Sequence, residues 1–409
     1  MGIIEQASRC LQCKNAMCSK NCPIATPVPQ VVGLFKDGDI KAAGRLLFEN
    51  NPLSAICSLI CPHENNCYGN CVLGRKGEPV AFYQVEQYIS GLYLENIAVK
   101  KPEKNGFKVG VLGAGPAGIA VSILLAQKGF SVSLIEARDK IGGVLRYGIP
   151  EFRLSRALLD EYADLLRQLG VRFRPNTMMG PNITIEDMFI DGYDAVFVST
   201  GVGRPNRLGL LGETLGHVSF AIDYLKTPDS YDLGGRVVVI GAGNVAMDAA
   251  RTVVRKSHSK VQLIFNRDQD SMTGNRHEIE MAKIDGVEFL YNLETIRIEQ
   301  DGVICVPVEA EEREDGGKVF TENFSRPQKI PADSVILAIG QGPNAGVLAG
   351  HGNLSSTDWG LIEADEEGRT STSGVFAAGD IVTGPRTAVQ AVAMAKRAAA
   401  AIEQYCLGK

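Results

Sequence analysis

The chain of 409 residues has no cysteine between Leu73 and Val303 and only five histidines. It also has no apolar run near the ~18–20 residues needed to span a bilayer. Each absence excludes something. A redox-active Cys-x-x-Cys cannot stand in the long middle stretch, which removes a self-contained disulphide reductase. His63, His217, His258, His277 and His351 are scattered singly, so none is expected to be catalytic. No block of Lys and Arg stands out of a net charge of −5, so nucleic acid is not an expected partner. Met1–Arg9 holds Glu5 and Gln6 and no apolar core. A secretory signal is therefore not expected there, and the cytoplasm is the expected compartment.

What is present is concentrated. Of ten cysteines, eight lie between Cys10 and Cys71. They run Cys10-x2-Cys13-x4-Cys18-x3-Cys22-Pro23, then Cys57-x3-Cys61-Pro62 and Cys67-x3-Cys71. Cysteines packed at one end of a long cytosolic chain are rarely a disulphide framework. Closely spaced thiols ending in Cys-Pro match the ligand runs of two-cluster ferredoxins. Zinc is the alternative, but it favours two short-spaced pairs per ion. On spacing alone Cys57 belongs to the ligand set. Cys305 and Cys406 stand singly and are expected to be packing residues.

Residues 1–104 show little strand pattern, and Asp39–Phe48 and Phe82–Tyr93 predict short amphipathic helices. Lys100–Gly106 predicts a linker. Beyond it the texture changes. Lys108–Leu112 predicts a buried strand, Ile119–Gln127 a helix and Val132–Ile135 a second strand. Between the first strand and its helix stands Gly113-Ala114-Gly115-Pro116-Ala117-Gly118. Its glycines allow a tight turn, close approach to a pyrophosphate, and packing of helix on strand. Glu136 ends the next strand, where a carboxylate can bind ribose hydroxyls.

A second unit repeats the pattern: strand Val237–Ile240, turn Gly241-Ala242-Gly243-Asn244-Val245-Ala246, a helix near Val245–Val254, and strand Val261–Phe265. Its tip reads Asn266-Arg267, with no acid at the position Glu136 holds in the first unit. Two such units predict FAD at the first and NADH or NADPH at the second. Later, strand Val375–Ala377 leads into Gly379-Asp380, and a long helix starts at Thr387. That arrangement can place a carboxylate and backbone amides on a flavin's sugar chain.

The chain resembles the flavin subunits of the glutamate synthase small-subunit group. The likeness rests on the eight cysteines, Asn51-Pro52-Leu53, both glycine fingerprints, the run Gly142–Leu154, Gly286–Phe289, Ala338-Ile339-Gly340-Gln341 and Ala377–Val382. It implies an α/β chain with a helical N-terminal domain holding two [4Fe–4S] clusters (1–104). Two Rossmann-like domains follow, the nicotinamide domain (204–340) inserted into an FAD domain (105–203 and 341–409). It assigns Cys10, Cys13, Cys18 and Cys71 to one cluster. Cys22, Cys61, Cys67 and a carboxylate, Glu86, go to the other, leaving Cys57 out. It places Glu136 on the FAD ribose, Arg153 and the Gly143-Val144 amides near the pyrophosphate, and Asp380 on the ribityl chain. NADPH-using relatives tend to carry two arginines where Asn266-Arg267 stands, so NADH is the expected donor, with Arg276 as a further cation. A catalytic partner is implied: an FMN-containing dihydropyrimidine dehydrogenase subunit, a glutamate synthase large subunit, or a ferredoxin-linked transhydrogenase partner.

Overall fold

The computed structural model describes residues 2–99, 101–312, 318–344 and 354–408. Lys100 of the expected linker and His351 lie outside these residues.

The N-terminal segment is helical. Asp39 caps helix Ile40–Asn50 by accepting the Ala42 amide at 2.9 Å, which satisfies one of the free donors of the first turn. Helix Phe82–Asn96 follows the predicted span and runs one turn further. Val31, Val32, Ala43, Leu47, Val85 and Ile89 form a core, and Cys67 is buried in it. Cys10 and Cys18 pack against that core, so cysteine positions are set by apolar packing.

Two five-stranded parallel sheets follow among the described residues. The first runs Val375–Ala377, Ala195–Val198, Lys108–Leu112, Ser131–Ile135, Arg172–Arg174. The second runs Val218–Phe220, Ser334–Leu337, Arg236–Ile240, Lys260–Ile264 and Glu288–Leu290, and differs in that its outer strand Val218–Phe220 precedes the fingerprint strand in the chain. In each, the chain moves outward on one side of the fingerprint strand, then returns to pair on its other side. The glycine turn therefore sits at the switch point, where a crevice opens beyond the carboxyl ends of the strands.

The helix after the first fingerprint begins at Pro116, earlier than the apolar pattern predicts. Proline at the first helical position has its ring pre-set for the helix and lacks an amide that would go unbonded anyway. The final helix, Ala388–Leu407, carries a capping box between Thr387 and Gln390. A four-stranded antiparallel sheet (Leu293–Glu299, Gly302–Glu312, Lys318–Glu322, Gln328–Pro331) follows the second sheet's edge strand. Its register shifts between Thr295 and Arg297, which blurs the period-two alternation that would announce a strand.

The described chain divides into two compact units. One comprises Met1–Arg146, Glu151–Val202 and Pro343–Lys409; the other comprises Tyr147–Pro150 and Gly203–Gly342. No helix among the described residues is long and apolar enough to cross a membrane.

Candidate functional site

The first cavity, about 350 Å³, opens at the end of the first sheet. Gly113, Glu136, Ala137, Thr177 and Thr200 line it. Gly113 has φ +97°, a conformation that favours glycine, and a Cβ there would stand 2.4 Å from the Ser199 carbonyl oxygen. Gly115 caps helix Pro116–Gln127 without a side-chain partner, so the first-turn amides at Ala117 and Gly118 face outward for an anion. A Cβ on Gly115 would meet no protein atom within 4 Å, which leaves the backbone open to a ligand.

Glu136 accepts the Ala114 amide at 2.7 Å and the Arg138 amide at 3.0 Å. Burial still raises its pKa against those bonds. Thr200 Oγ1 is buried in this cavity with no partner, a polar atom awaiting one. A flavin dinucleotide fits this donor set. Gly143 packs on Gly115, its Cβ position being 2.8 Å from Gly115 Cα. The motif contains an anchor that sequence reading missed. The buried Arg146 donates to the Ile141 carbonyl at 2.8 Å and to Asp160 at 2.5 Å, pinning the Gly142-Gly143 turn. Asp380 accepts the Arg386 amide at 3.2 Å, and burial pushes its carboxyl up to about 6. Val144 opens a short helix and is 41% exposed. Arg153 stands in the turn after Pro150 and is partly buried.

The second cavity, also about 350 Å³, belongs wholly to the other unit. Gly241, Gly243, Asn266, Thr273, Glu294 and Gly340 line it. Gly243 caps helix Asn244–Ser257, again with no side-chain partner. Asn244 Oδ1 accepts the Asn275 amide at 2.8 Å, tying the turn to the next helix. Val245 packs partly buried on the core of this unit. Arg267 is exposed with its guanidinium 5.3 Å from the Phe320 ring centre, and Arg276 is exposed at a helix start. Neither lines the cavity among the described residues. The expectation that no acid stands at this strand tip is corrected: Glu294, from the antiparallel sheet, accepts Asn266 Nδ2 at 2.7 Å.

The cysteines gather in two neighbouring groups. Cys10, Cys13, Cys18, Cys67 and Cys71 line one apolar pocket with Met17, Val28 and Phe82. Burial pushes the Cys18 thiol up to about 11 and also raises Cys10. Burial thus favours the neutral thiols, and they would give up their protons on binding a metal cluster. Val80 N–H lies 3.5 Å from Cys71 Sγ, and Thr26 Oγ1 lies 3.3 Å from Cys22 Sγ.

The second group centres on Glu86, which is buried and accepts Ser54 Oγ at 2.8 Å. Burial pushes its carboxyl up to about 7. Cys61 is raised first by its contact with the Cys57 thiol, then by burial, with Glu86 and Cys67 within electrostatic reach. Cys67 is raised by burial and by Glu86 and Cys22. Cys67 is thus within electrostatic reach of Cys22, Cys61 and Glu86, and Cys57 contacts Cys61. Among the described residues, no three His, Cys, Asp or Glu side chains converge on a single metal ion. A [4Fe–4S] cluster asks for wider spacing, because each thiolate binds a different iron, and the donor set of buried thiols and one carboxylate suits it.

Residues 107–395 match the pyridine nucleotide–disulphide oxidoreductase family. Residues 1–97 match the family described as dihydropyrimidine dehydrogenase domain II, 4Fe–4S cluster. The chain is 33% identical to the glutamate synthase [NADPH] small chain of Escherichia coli K12, covering 98% of this chain and 90% of that one. It is 30% identical to the NAD-dependent dihydropyrimidine dehydrogenase subunit PreT of Escherichia coli O157:H7, covering 99% and 94%. Mycobacterium tuberculosis FprA, solved in complex with NADPH, superposes with a TM-score of 0.63 at 17% identity. It covers 74% of this chain and 84% of that one, and shows the fold alone.

Proposed function

The chain belongs to the glutamate synthase small-chain family and is an NAD(P)H-dependent oxidoreductase of FAD and [4Fe–4S] type, and from that premise we propose that it takes hydride from NADH at its second cavity and sends electrons singly to a catalytic partner. The observation that carries the one-electron route is a tether within one unit. Lys396 Nζ, on the final helix of the FAD-side unit, donates to the Asn50 carbonyl at 2.9 Å and to Asn50 Oδ1 at 3.1 Å. Tyr162 Oη donates to the Pro52 carbonyl at 2.9 Å. They hold the end of helix Ile40–Asn50 and the loop that enters helix Ser54–Ile60, which carries Cys57 and leads directly to Cys61. The thiol groups are thereby fastened to the domain of the first sheet.

FAD supplies the conversion between an electron pair and single electrons, and two [4Fe–4S] clusters carry those electrons onward. The residues do the holding. Gly113, Gly115 and the amides at Ala117 and Gly118 would receive the FAD pyrophosphate. Glu136 would receive the ribose, and Gly379, Asp380 and Thr387 the sugar chain. Gly241, Gly243 and Gly340 would line the nicotinamide dinucleotide. Cys10, Cys13, Cys18 and Cys71 would hold one cluster, and Cys22, Cys61, Cys67 and Glu86 the other. The order of motifs supports reading the nicotinamide domain as an insertion, since strand Val375–Ala377 pairs in the first sheet although it follows the second sheet's strands in the chain.

For the partner we propose an FMN-containing dihydropyrimidine dehydrogenase subunit acting on uracil or thymine. The N-terminal family match and the neutral Asn266 favour it. The higher identity to glutamate synthase small chains favours a large amidotransferase partner instead. Anaerobic addition of NADH to the purified protein tests the core of the reading. Flavin absorbance is expected to bleach and reduced-cluster resonances to develop. An unchanged flavin spectrum with both NADH and NADPH would sink it. Co-purification from the native source then separates the two partners.

A further inference from the structure

The second nucleotide strand ends in Phe265-Asn266-Arg267-Asp268, and each charged group there is already engaged. Arg267 lies over the Phe320 ring. Asp268 pairs with Lys318 and accepts the Ser271 amide at 3.0 Å. At this strand tip the cavity is lined by Asn266 and, from the antiparallel sheet, by Glu294, the one charged side chain in its lining among the described residues. They meet through Asn266 Nδ2 and Glu294 Oε2 at 2.7 Å. Glu294 thus has a neutral amide for a partner, and its negative charge faces the cavity uncompensated. Its other oxygen has no hydrogen-bond partner among the described residues.

We propose that Glu294 determines which nicotinamide dinucleotide binds: its carboxylate accepts the adenosine ribose hydroxyls of NADH and repels the 2′-phosphate of NADPH. Asn266 is the positioning residue. Hydrogen bonds from hydroxyls to a carboxylate are charge-assisted and stronger than neutral ones. A 2′-phosphate in the same place would bring a second anion against an unpaired one, and the cation that would normally receive it is stacked elsewhere. The antiparallel sheet does both jobs, supplying Glu294 from one strand and holding Arg267 with Phe320 on another.

This inference rests on reading the second cavity as the nicotinamide site, and the test separates the two. Calorimetric titration of the holoprotein with ADP-ribose and with 2′-phospho-ADP-ribose reads the adenosine half without turnover. The wild type is expected to bind ADP-ribose about 10-fold or more tightly than its 2′-phosphorylated form. Glu294→Gln should narrow that ratio by roughly 10- to 100-fold, while Glu294→Asp, which keeps the charge, should retain the preference. Flavin absorbance of each variant checks that it is folded and loaded. A wild type that prefers the 2′-phosphorylated ligand overturns the role of Glu294, as does a ratio unmoved by Glu294→Gln. Binding of neither ligand overturns the reading of the cavity itself.

Discussion

At Gly118 an added Cβ would stand 1.9 Å from the Gly113 carbonyl oxygen, whereas at Gly115 it would meet nothing. The two glycines of one turn thus serve different ends. Gly118→Ala forces backbone apart and should lower the melting temperature of the protein, at a cost of about 1–3 kcal/mol or more. Gly115→Ala should leave the melting of flavin-free protein unchanged and weaken FAD binding, read as flavin retained after gel filtration. Equal effects of both on melting would remove the distinction. Asp380 makes a second residue-scale prediction. Its folded carboxyl titrates near 6 because of burial, above the usual aspartate value. The folded state therefore binds that proton more tightly than the unfolded chain. Its stabilising contribution is complete below about pH 4 and is lost as pH rises through about 6. In flavin-free protein, Asp380→Asn should gain stability over wild type above pH 6 and converge with it near pH 4. Urea midpoints that run parallel across this range would contradict the assignment.

Helices Asn244–Ser257 and Arg276–Ile284 are joined by charge as well as by apolar contact. Arg251 meets Glu278 at 2.5 Å and Asp285 at 2.8 Å, and all three are mostly buried. Burial works against the charge of Asp285, yet hydrogen bonds from Arg255 and Arg251 hold its carboxyl below the usual range. Removing one member of such a buried pair strands the other, at about 3–5 kcal/mol. Arg251→Met should therefore lower the melting temperature markedly, and adding Glu278→Leu should recover part of the loss. A double variant no better than the single would show that the stranded charge is not the cause. At this scale the elements with plain periodicity were legible. Strands Lys108–Leu112 and Val375–Ala377 stand where the apolar runs place them. Edge strand Arg172–Arg174 was not legible, because all three residues are exposed and only main-chain pairing to Ser133–Ile135 makes them a strand.

Across the whole molecule, the relay depends on which side chains hold the clusters. Cys57 contacts Cys61 and Glu86 lies within electrostatic reach of it, and the two variants Glu86→Ala and Cys57→Ala decide between them. The first is expected to lose iron and sulphide equivalent to one cluster, while the second keeps both. The opposite result would return Cys57 to the ligand set. Cys18→Ser should remove the other cluster, leave NADH bleaching of the flavin intact, and stop electron delivery to the partner subunit. Undiminished partner turnover in that variant would end the relay reading.

Local sequence by itself determined the glycine turns, the strands and helices that carry them, and the crowding of thiols near one end. Those features depend on neighbours a few residues away, through backbone conformation and apolar periodicity. Only the tertiary structure brought Glu294 to Asn266 and Arg146 to Asp160. Each of those meetings joins different elements. Their partners are chosen by how sheets and helices pack, which no spacing along the chain encodes.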